Sequence, residues 1–142
     1  MAFKYKSNLC NLFQTMTPIP DMAIANGQAI QDGSLVILVN GRVALAVGGR
    51  EVAGIARIYD GTTHTGNAAG TVLCDVEFLR PGDILEVEQG TIADAACQAG
   101  DPLDFAANAF DLAAAANNDF AVLHHDPGRN MVHVSVIRHQ FP

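Results

Sequence analysis

The fold is decided by the stretch Leu35-Val36-Ile37-Leu38-Val39, which is followed by Asn40-Gly41 and then by Val43-Ala44-Leu45-Ala46-Val47. Two β-prone runs joined by Asn-Gly are a strong hairpin signal, because both turn residues tolerate the positive φ of a type I′ turn. The first run is apolar at every position, which predicts a strand buried on both faces, as in the wall of a small closed barrel.

Shorter apolar runs separated by turn residues continue outward from this hairpin. The run over residues 52–59 contains Gly54, which predicts a bulge or a barrel corner there. Residues 72–78 and 84–88 alternate apolar with acidic positions, as in strands with one solvated face. In this interpretation Cys74 is a small core residue, and Glu86 and Glu88 keep one face wet.

The C-terminal half predicts further strands and little helix. One or two helical turns are expected within residues 91–98, and short strands near 103–105 and 109–112. Residues 120–124 and 131–141 flank an Asp-Pro-Gly turn and predict a closing hairpin. We therefore expect an all-β fold, mainly an antiparallel small barrel or β-tulip-like domain over residues 22–142.

Residues 1–21 differ from the rest of the chain and predict an extended N-terminal arm. The segment ends in Thr17-Pro18-Ile19-Pro20, and two prolines fix φ and remove backbone donors, so the arm should join no central strand. Its apolar side chains either fold back on their own domain or dock on a neighbouring subunit. In the docking interpretation the interface residues are Phe3, Tyr5, Leu9, Leu12, Phe13 and Ile19.

Composition excludes several function classes. The 142 residues are 49% hydrophobic and only 16% charged, with a net charge of −7, which opposes binding to nucleic acid. The sequence contains no apolar run long enough for a signal peptide or a membrane span, so we expect a soluble protein. Three cysteines without zinc-like spacing, Cys10, Cys74 and Cys97, favour reduced thiols.

The sequence gives no assembled catalytic or metal site. His133 and His139 would lie about 20 Å apart on one extended strand, and His124 and His125 would face opposite ways. The glycines near residues 48–54 lack the Gly-Lys-Ser/Thr of a phosphate loop. We therefore expect no enzyme activity, no cofactor and no metal, although a small hydrolase or metalloenzyme built from converging histidines stays open.

Several local patterns together resemble the capsid decoration, or cement, proteins of tailed bacteriophages. They are Phe3-Lys4-Tyr5-Lys6-Ser7-Asn8-Leu9, Pro18-Ile19-Pro20, residues 25–30, residues 99–105 and Asn117-Asn118-Asp119-Phe120. The Ala-rich residues 106–116 and the histidine-rich end fall outside the resemblance.

The resemblance implies a structural virion protein on the capsid exterior, made in the bacterial host cytoplasm. Its partners would be the major capsid protein and, in a homotrimer, itself, with the arm clamping adjacent capsid subunits and no nucleic acid or membrane involved. The alternative from the sequence is a non-enzymatic ligand-binding β-barrel module with an internal pocket.

Overall fold

The computed structural model describes residues 2–9, 16–48, 51–80, 82–114 and 119–137, and its regular structure is almost entirely antiparallel β-sheet. The prediction of an all-β fold is confirmed. The strands are β1 Lys4–Asn8, β2 Ile19–Ala23, β3 Ala29–Ile30, β4 Leu35–Val39, β5 Arg42–Leu45, β6 Gly54–Arg57, β7 His64–Thr65, β8 Leu73–Phe78, β9 Asp83–Glu88, β10 Pro102–Phe105, β11 Leu112–Ala114, β12 Phe120–Asp126 and β13 Met131–Val136. Single 3₁₀ turns span Asp94–Ala96 and Pro127–Arg129.

Two sheets enclose the main core. The six-stranded sheet has the order β1-β9-β13-β12-β10-β11, and the five-stranded sheet has the order β2-β8-β6-β4-β5. A small third sheet pairs β3 with β7. The main cluster of buried side chains takes members from both large sheets, for example Leu35 and Ile55 from one and Leu85 and Val134 from the other. The core therefore lies between the two sheets.

The predicted hairpin is confirmed in its register and its turn. Leu38 pairs with Val43, and Val39 pairs with Arg42. Asn40 and Gly41 have φ of 51° and 77°, the two positive values that a type I′ turn requires. The turn chemistry of these two residues fixes how the strands align.

Burial of this strand on both faces is also confirmed for its first half. Leu35 and Ile37 belong to the main core, while Val36 belongs to a second cluster on the other face of the five-stranded sheet. Ile24 and Ile30, from the chain on either side of residues 25–28, cover that second face. The continuous apolar run thus reflects a sheet with a hydrophobic layer on each side.

The expectation of a closed barrel is wrong, because the sheets do not close on themselves. An isolated parallel bridge between Ile24 and Val43 brings the beginning and the end of the five-stranded sheet together at one point. The β2–β8 ladder is irregular between Ile19 and Met22. A barrel needs a continuous ladder around its wall, and a single bridge beside an interrupted ladder does not supply one.

Gly54 serves a purpose other than the predicted bulge or corner. It pairs in register with Phe78 on β8 and with Val36 on β4. A Cβ at this position would stand 2.5 Å from the Glu77 carbonyl oxygen and 2.8 Å from Val76 Cγ1. The glycine is therefore needed because the neighbouring strand passes very close to it.

The described parts of residues 1–21 join no central strand, as predicted, and they lie at the edges of the two large sheets. The strand β1 pairs with β9, and β2 pairs with β8, so each lies at the edge of a large sheet. An edge position accepts Pro20, since a residue without an N–H can face outward there. Residues 10–15 lie outside the described residues.

The solvated face predicted for residues 72–78 and 84–88 is wrong for two of its acidic residues. Glu77 and Glu86 are both buried, because ion-pair partners on neighbouring strands cover them, whereas Glu88 is exposed. Cys74 is buried in the second cluster, as predicted.

The closing hairpin and the strand near residues 103–105 are confirmed as β12–β13 and β10. The other short strand lies at β11 and not at 109–112, since residues 106–111 form a turn closed by a hydrogen bond from the Ala106 amide to the Asp111 carbonyl.

Candidate functional site

The predicted interface residues fall into three groups. Phe3 is only 1% exposed and packs on Phe120 with ring centroids 5.6 Å apart, and Tyr5 packs against the same core. For these two aromatic side chains the fold-back alternative is the one observed. Leu9 and Ile19 are 53% and 51% exposed. Leu12 and Phe13 lie outside the described residues.

We call Leu9 and Ile19 the exposed pair. Ile19 lies beside β8, and Leu9 lies beside the connection between β8 and β9. The Leu9 amide donates to the Gly82 carbonyl at 2.8 Å, and Ile19 pairs with Val76 on β8. Asn8 Nδ2 donates to the buried Asp83 carboxylate at 2.9 Å and so ties the end of β1 to the start of β9. The exposed pair is therefore held by ordered strands on both sides of residues 10–15.

A charged cluster occupies the outer face of the six-stranded sheet. The Glu86 carboxylate is bonded to His133 Nε2 at 2.7 Å, and Lys6 Nζ and Arg129 Nη2 each lie 3.9 Å from it. His124 places its ring 5.9 Å from that of His133. The hydrogen bond from His133, together with the two cations, lowers the pKa of Glu86. Three partners thus stabilise one largely buried carboxylate.

The four histidines in the described part of the chain do not converge on a metal site. Within the described residues no three His, Cys, Asp or Glu side chains come together as a possible ion site, and His139 lies outside them. His125 donates through Nε2 to the Gln89 side-chain oxygen at 2.7 Å.

Cys74, the predicted core thiol, has a pKa raised to about 11 by burial and by the nearby Asp75 charge, so it is not an activated nucleophile.

A surface pocket of about 250 Å³ lies where β2, β6 and β8 meet the loop that leads to β7. Its apolar walls include Ile58 and Leu73, and Tyr59, which is 70% exposed, stands at its rim. Asp21 and Asp75 add carboxylates to the lining. We call this cavity the β2–β8 pocket.

His64 lies in this pocket between two hydrogen-bond acceptors. Its Nδ1 lies 3.1 Å from the Leu73 carbonyl oxygen, and its Nε2 lies 2.8 Å from Asp60 Oδ2. Both partners accept hydrogen bonds, so the imidazolium form of the ring is the one that donates to both. The same two bonds raise the pKa of His64, and the bond from His64 to Asp60 lowers the pKa of that carboxyl.

Arg57 forms the other cation of the pocket and bridges two acids. Its Nη1 lies 2.8 Å from Glu77 Oε1, and its Nε lies 3.0 Å from Asp32 Oδ1. Asp32 also accepts from the Ile58 amide at 2.9 Å. Glu77 is buried, so the guanidinium neutralises a carboxylate that would be costly to leave alone.

The pocket was missed in the sequence, because its walls come from three segments that are distant along the chain. The spacing of Asp60 and His64 in one polar loop was the available signal, yet such a loop is usually only a solvated turn. Arg57 and Asp75 carry no motif of their own. Their register across β6 and β8 places them side by side.

Comparison with known proteins identifies no relative. A scan of the chain against protein-family models finds no match, and searches of curated proteins and of solved structures also find none. No helix among the described residues is long and apolar enough to cross a membrane. The chain's own residues and geometry are therefore what indicates its function.

Proposed function

We propose that this protein is a structural virion protein that binds the outside of an icosahedral phage head and stabilises contacts between major capsid subunits, as a homotrimer. The observation that carries the proposal is the exposed pair: Ile19 stands half exposed on the edge strand β2, and Leu9 stands half exposed in the turn directly after the edge strand β1. Residues 10–15, which connect them, add Leu12 and Phe13 to the same part of the sequence.

Burial of apolar surface can stabilise such a contact between capsid subunits. A specific interface buries at least about 1,000 Å², and apolar area contributes roughly 25 cal/mol per Å². Association and side-chain ordering offset a large part of this gain. A backbone hydrogen bond holds Leu9 and strand pairing holds Ile19, so their burial costs less backbone entropy than docking of a flexible tail.

The low charge content supports the same function. Only 16% of residues are charged, and several of these charges are used inside the fold, where Arg57 binds Glu77 and His133 binds Glu86. The surface is thus left with fewer charges than is usual for a chain of this size. Such a surface suits contact with other protein subunits in a shell.

Co-sedimentation tests the proposal with expanded heads assembled from the major capsid protein encoded by the same genome. The purified full-length protein should be a trimer and should bind the heads saturably. The double variant Leu9→Ser/Ile19→Ser should bind about tenfold more weakly, as expected when interface anchors are lost. Ile137→Ser is the matched control, since Ile137 is equally exposed but lies at the end of β13.

Two outcomes of the co-sedimentation experiment would contradict the proposal or its interface. Wild-type protein that stays monomeric and leaves the heads unoccupied contradicts the proposal. If Ile137→Ser weakens binding as much as the double variant, the assignment of the interface to the exposed pair is wrong.

A ligand-binding module is the second candidate, and the β2–β8 pocket is the observation that favours it. The cavity is open to the surface and is smaller than the roughly 300–1,000 Å³ of typical small-molecule sites. A thermal shift of the purified protein with neutral small molecules, in the absence of any affinity for heads, would support this candidate over the first.

A further inference from the structure

We propose that the β2–β8 pocket binds the cationic side chain, a lysine or an arginine, of a partner protein. The volume of the pocket suits such a side chain. A volume of about 250 Å³ would hold roughly eight waters at about 30 Å³ each. An aliphatic stem of three or four carbons with an ammonium or guanidinium head fits within such a space.

Charge supports a cationic occupant over an anionic one. The lining residues and their ion-pair partners provide five carboxylates, from Asp21, Asp32, Asp60, Asp75 and Glu77, against the two cations Arg57 and His64. His64 is paired with Asp60, and Arg57 is shared between Asp32 and Glu77. The excess negative charge therefore lies towards Asp21 and Asp75.

The walls fit the rest of such a side chain. Leu73 and Ile58 offer apolar surface for an aliphatic stem, as lysine and arginine stems prefer. Tyr59 stands at the rim with its phenol beside the Asp75 carboxylate, and an aromatic face attracts a cation. Arg57 of this chain lies 5.9 Å from the ring centroid of Tyr59 and already makes a cation–π contact with it.

The Asp21 backbone amide contacts the Asp75 carboxylate. Asp21 has a positive φ of 56°, and its amide donates to Asp75 Oδ1 at 3.2 Å. The irregular register of β2 between Ile19 and Met22 thus turns Asp21 towards the pocket, where it is a lining residue. The same irregularity leaves Ile19 exposed at the other end of the strand.

Titration of the ¹⁵N-labelled full-length protein with n-butylguanidinium and n-butylammonium tests the inference. We expect saturable amide shifts confined to the β2–β8 pocket, including Tyr59, Asp60 and Leu73, with dissociation constants of the order of millimolar. The neutral isostere 1-butanol and the anion butyrate should cause no such shifts. Added salt should weaken the binding.

Variants locate the site. Asp21→Asn and Asp75→Asn should each weaken binding about two- to fivefold, the range expected for one exposed charge pair, and Tyr59→Ala should have a similar effect. Asn tolerates positive φ, so Asp21→Asn preserves the backbone. Glu88→Gln, an exposed acid on the other large sheet, is the control and should change nothing.

Three results would overturn the inference. They are binding of 1-butanol as tight as that of the cations, equal weakening by Glu88→Gln, and binding of spermidine without binding of an acetyl-Gly-Arg-Gly-amide peptide. The last result would assign the site to free polyamines and not to a protein side chain. The inference does not depend on capsid binding, because all its probes are small molecules.

Discussion

At the scale of single residues, this protein uses polar side chains mainly to join strands. His64, the first residue of β7, joins that strand to β8 through the Leu73 carbonyl and also contacts Asp60 in the preceding loop. Glu86 collects partners from β1, β13 and the turn before β13. The Glu86 contacts connect segments that are far apart in sequence, whereas the His64 contacts join residues nine and four positions apart, and single substitutions test both sets.

The first residue-scale prediction concerns His64. Its folded-state pKa should lie above the ordinary value of 6.5, and Asp60→Asn should lower it, which NMR titration of the ring protons will measure. Because the pKa is raised on folding, the stabilising contribution is complete below about pH 6.5 and disappears as pH rises through the folded-state value. Glu88→Gln is the control, and a wild-type His64 that titrates below 6.5 contradicts the assignment.

The second concerns Glu86 and its partner. His133→Ala removes the shortest bond to a carboxylate that is only 7% exposed, so it should destabilise the protein by about 1–2 kcal/mol in urea unfolding at pH 7. Since the pKa of Glu86 is lowered in the fold, its contribution is present above about pH 4.5 and is lost as pH falls through the folded-state value.

The control for that prediction is Glu86→Gln. This variant should have a flatter stability profile than the wild type in the acid range. An unchanged profile would mean that the Glu86 cluster does not form.

The third concerns the close approach at Gly54. Gly54→Ala should cost about 1–3 kcal/mol, as overpacking does in a core, because its Cβ would meet the β8 backbone. Gly128→Ala is the matched control, since its nearest neighbour would be Asp126 Oδ1 at 3.6 Å and its effect should stay within about 0.5 kcal/mol. Equal stability of the two variants would show that β6 and β8 lie farther apart.

At the scale of elements, the β4–β5 hairpin organises the five-stranded sheet. Its strand β4 pairs with β5 on one side and with β6 on the other, and its residues alternate between the two hydrophobic clusters. The outer strands β1 and β2 of the large sheets carry features that protect them from pairing with other chains. Lys4 and Lys6 are exposed on β1, and Pro20 interrupts β2. Both features discourage pairing with strands of other chains, so contacts with partners should be made by side chains.

The hairpin prediction follows from the φ values of its turn. Gly41→Val should destabilise the protein by roughly 1–2 kcal/mol, because a β-branched residue is strained at a φ of 77°. Asn40→Gly should be close to neutral, since glycine adopts positive φ freely. Thermal unfolding of both variants measures the difference. A Gly41→Val protein as stable as the wild type would mean that another turn type connects β4 and β5.

At the scale of the whole molecule, the sequence predicted what local chemistry determines and missed what depends on distant segments. Asn40-Gly41 fixes a hairpin through its own dihedral preferences, so the hairpin was predictable. The five-stranded sheet is not a closed barrel, since no ladder pairs its outer strands β2 and β5 among the described residues, and such pairing between distant segments cannot be seen in a sequence. Phe3 was assigned to an interface because a sequence cannot show that Phe120 lies beside it. The β2–β8 pocket was invisible for the same reason.

A density map of the intact phage particle tests the central claim, that this protein works by covering apolar surface between subunits of a shell. The account predicts copies of this fold on the exterior of the head, in groups of three, with Leu9 and Ile19 buried against the major capsid protein. Density for this chain inside the head or in the tail, or a fully occupied particle in which Leu9 and Ile19 face solvent, would contradict it.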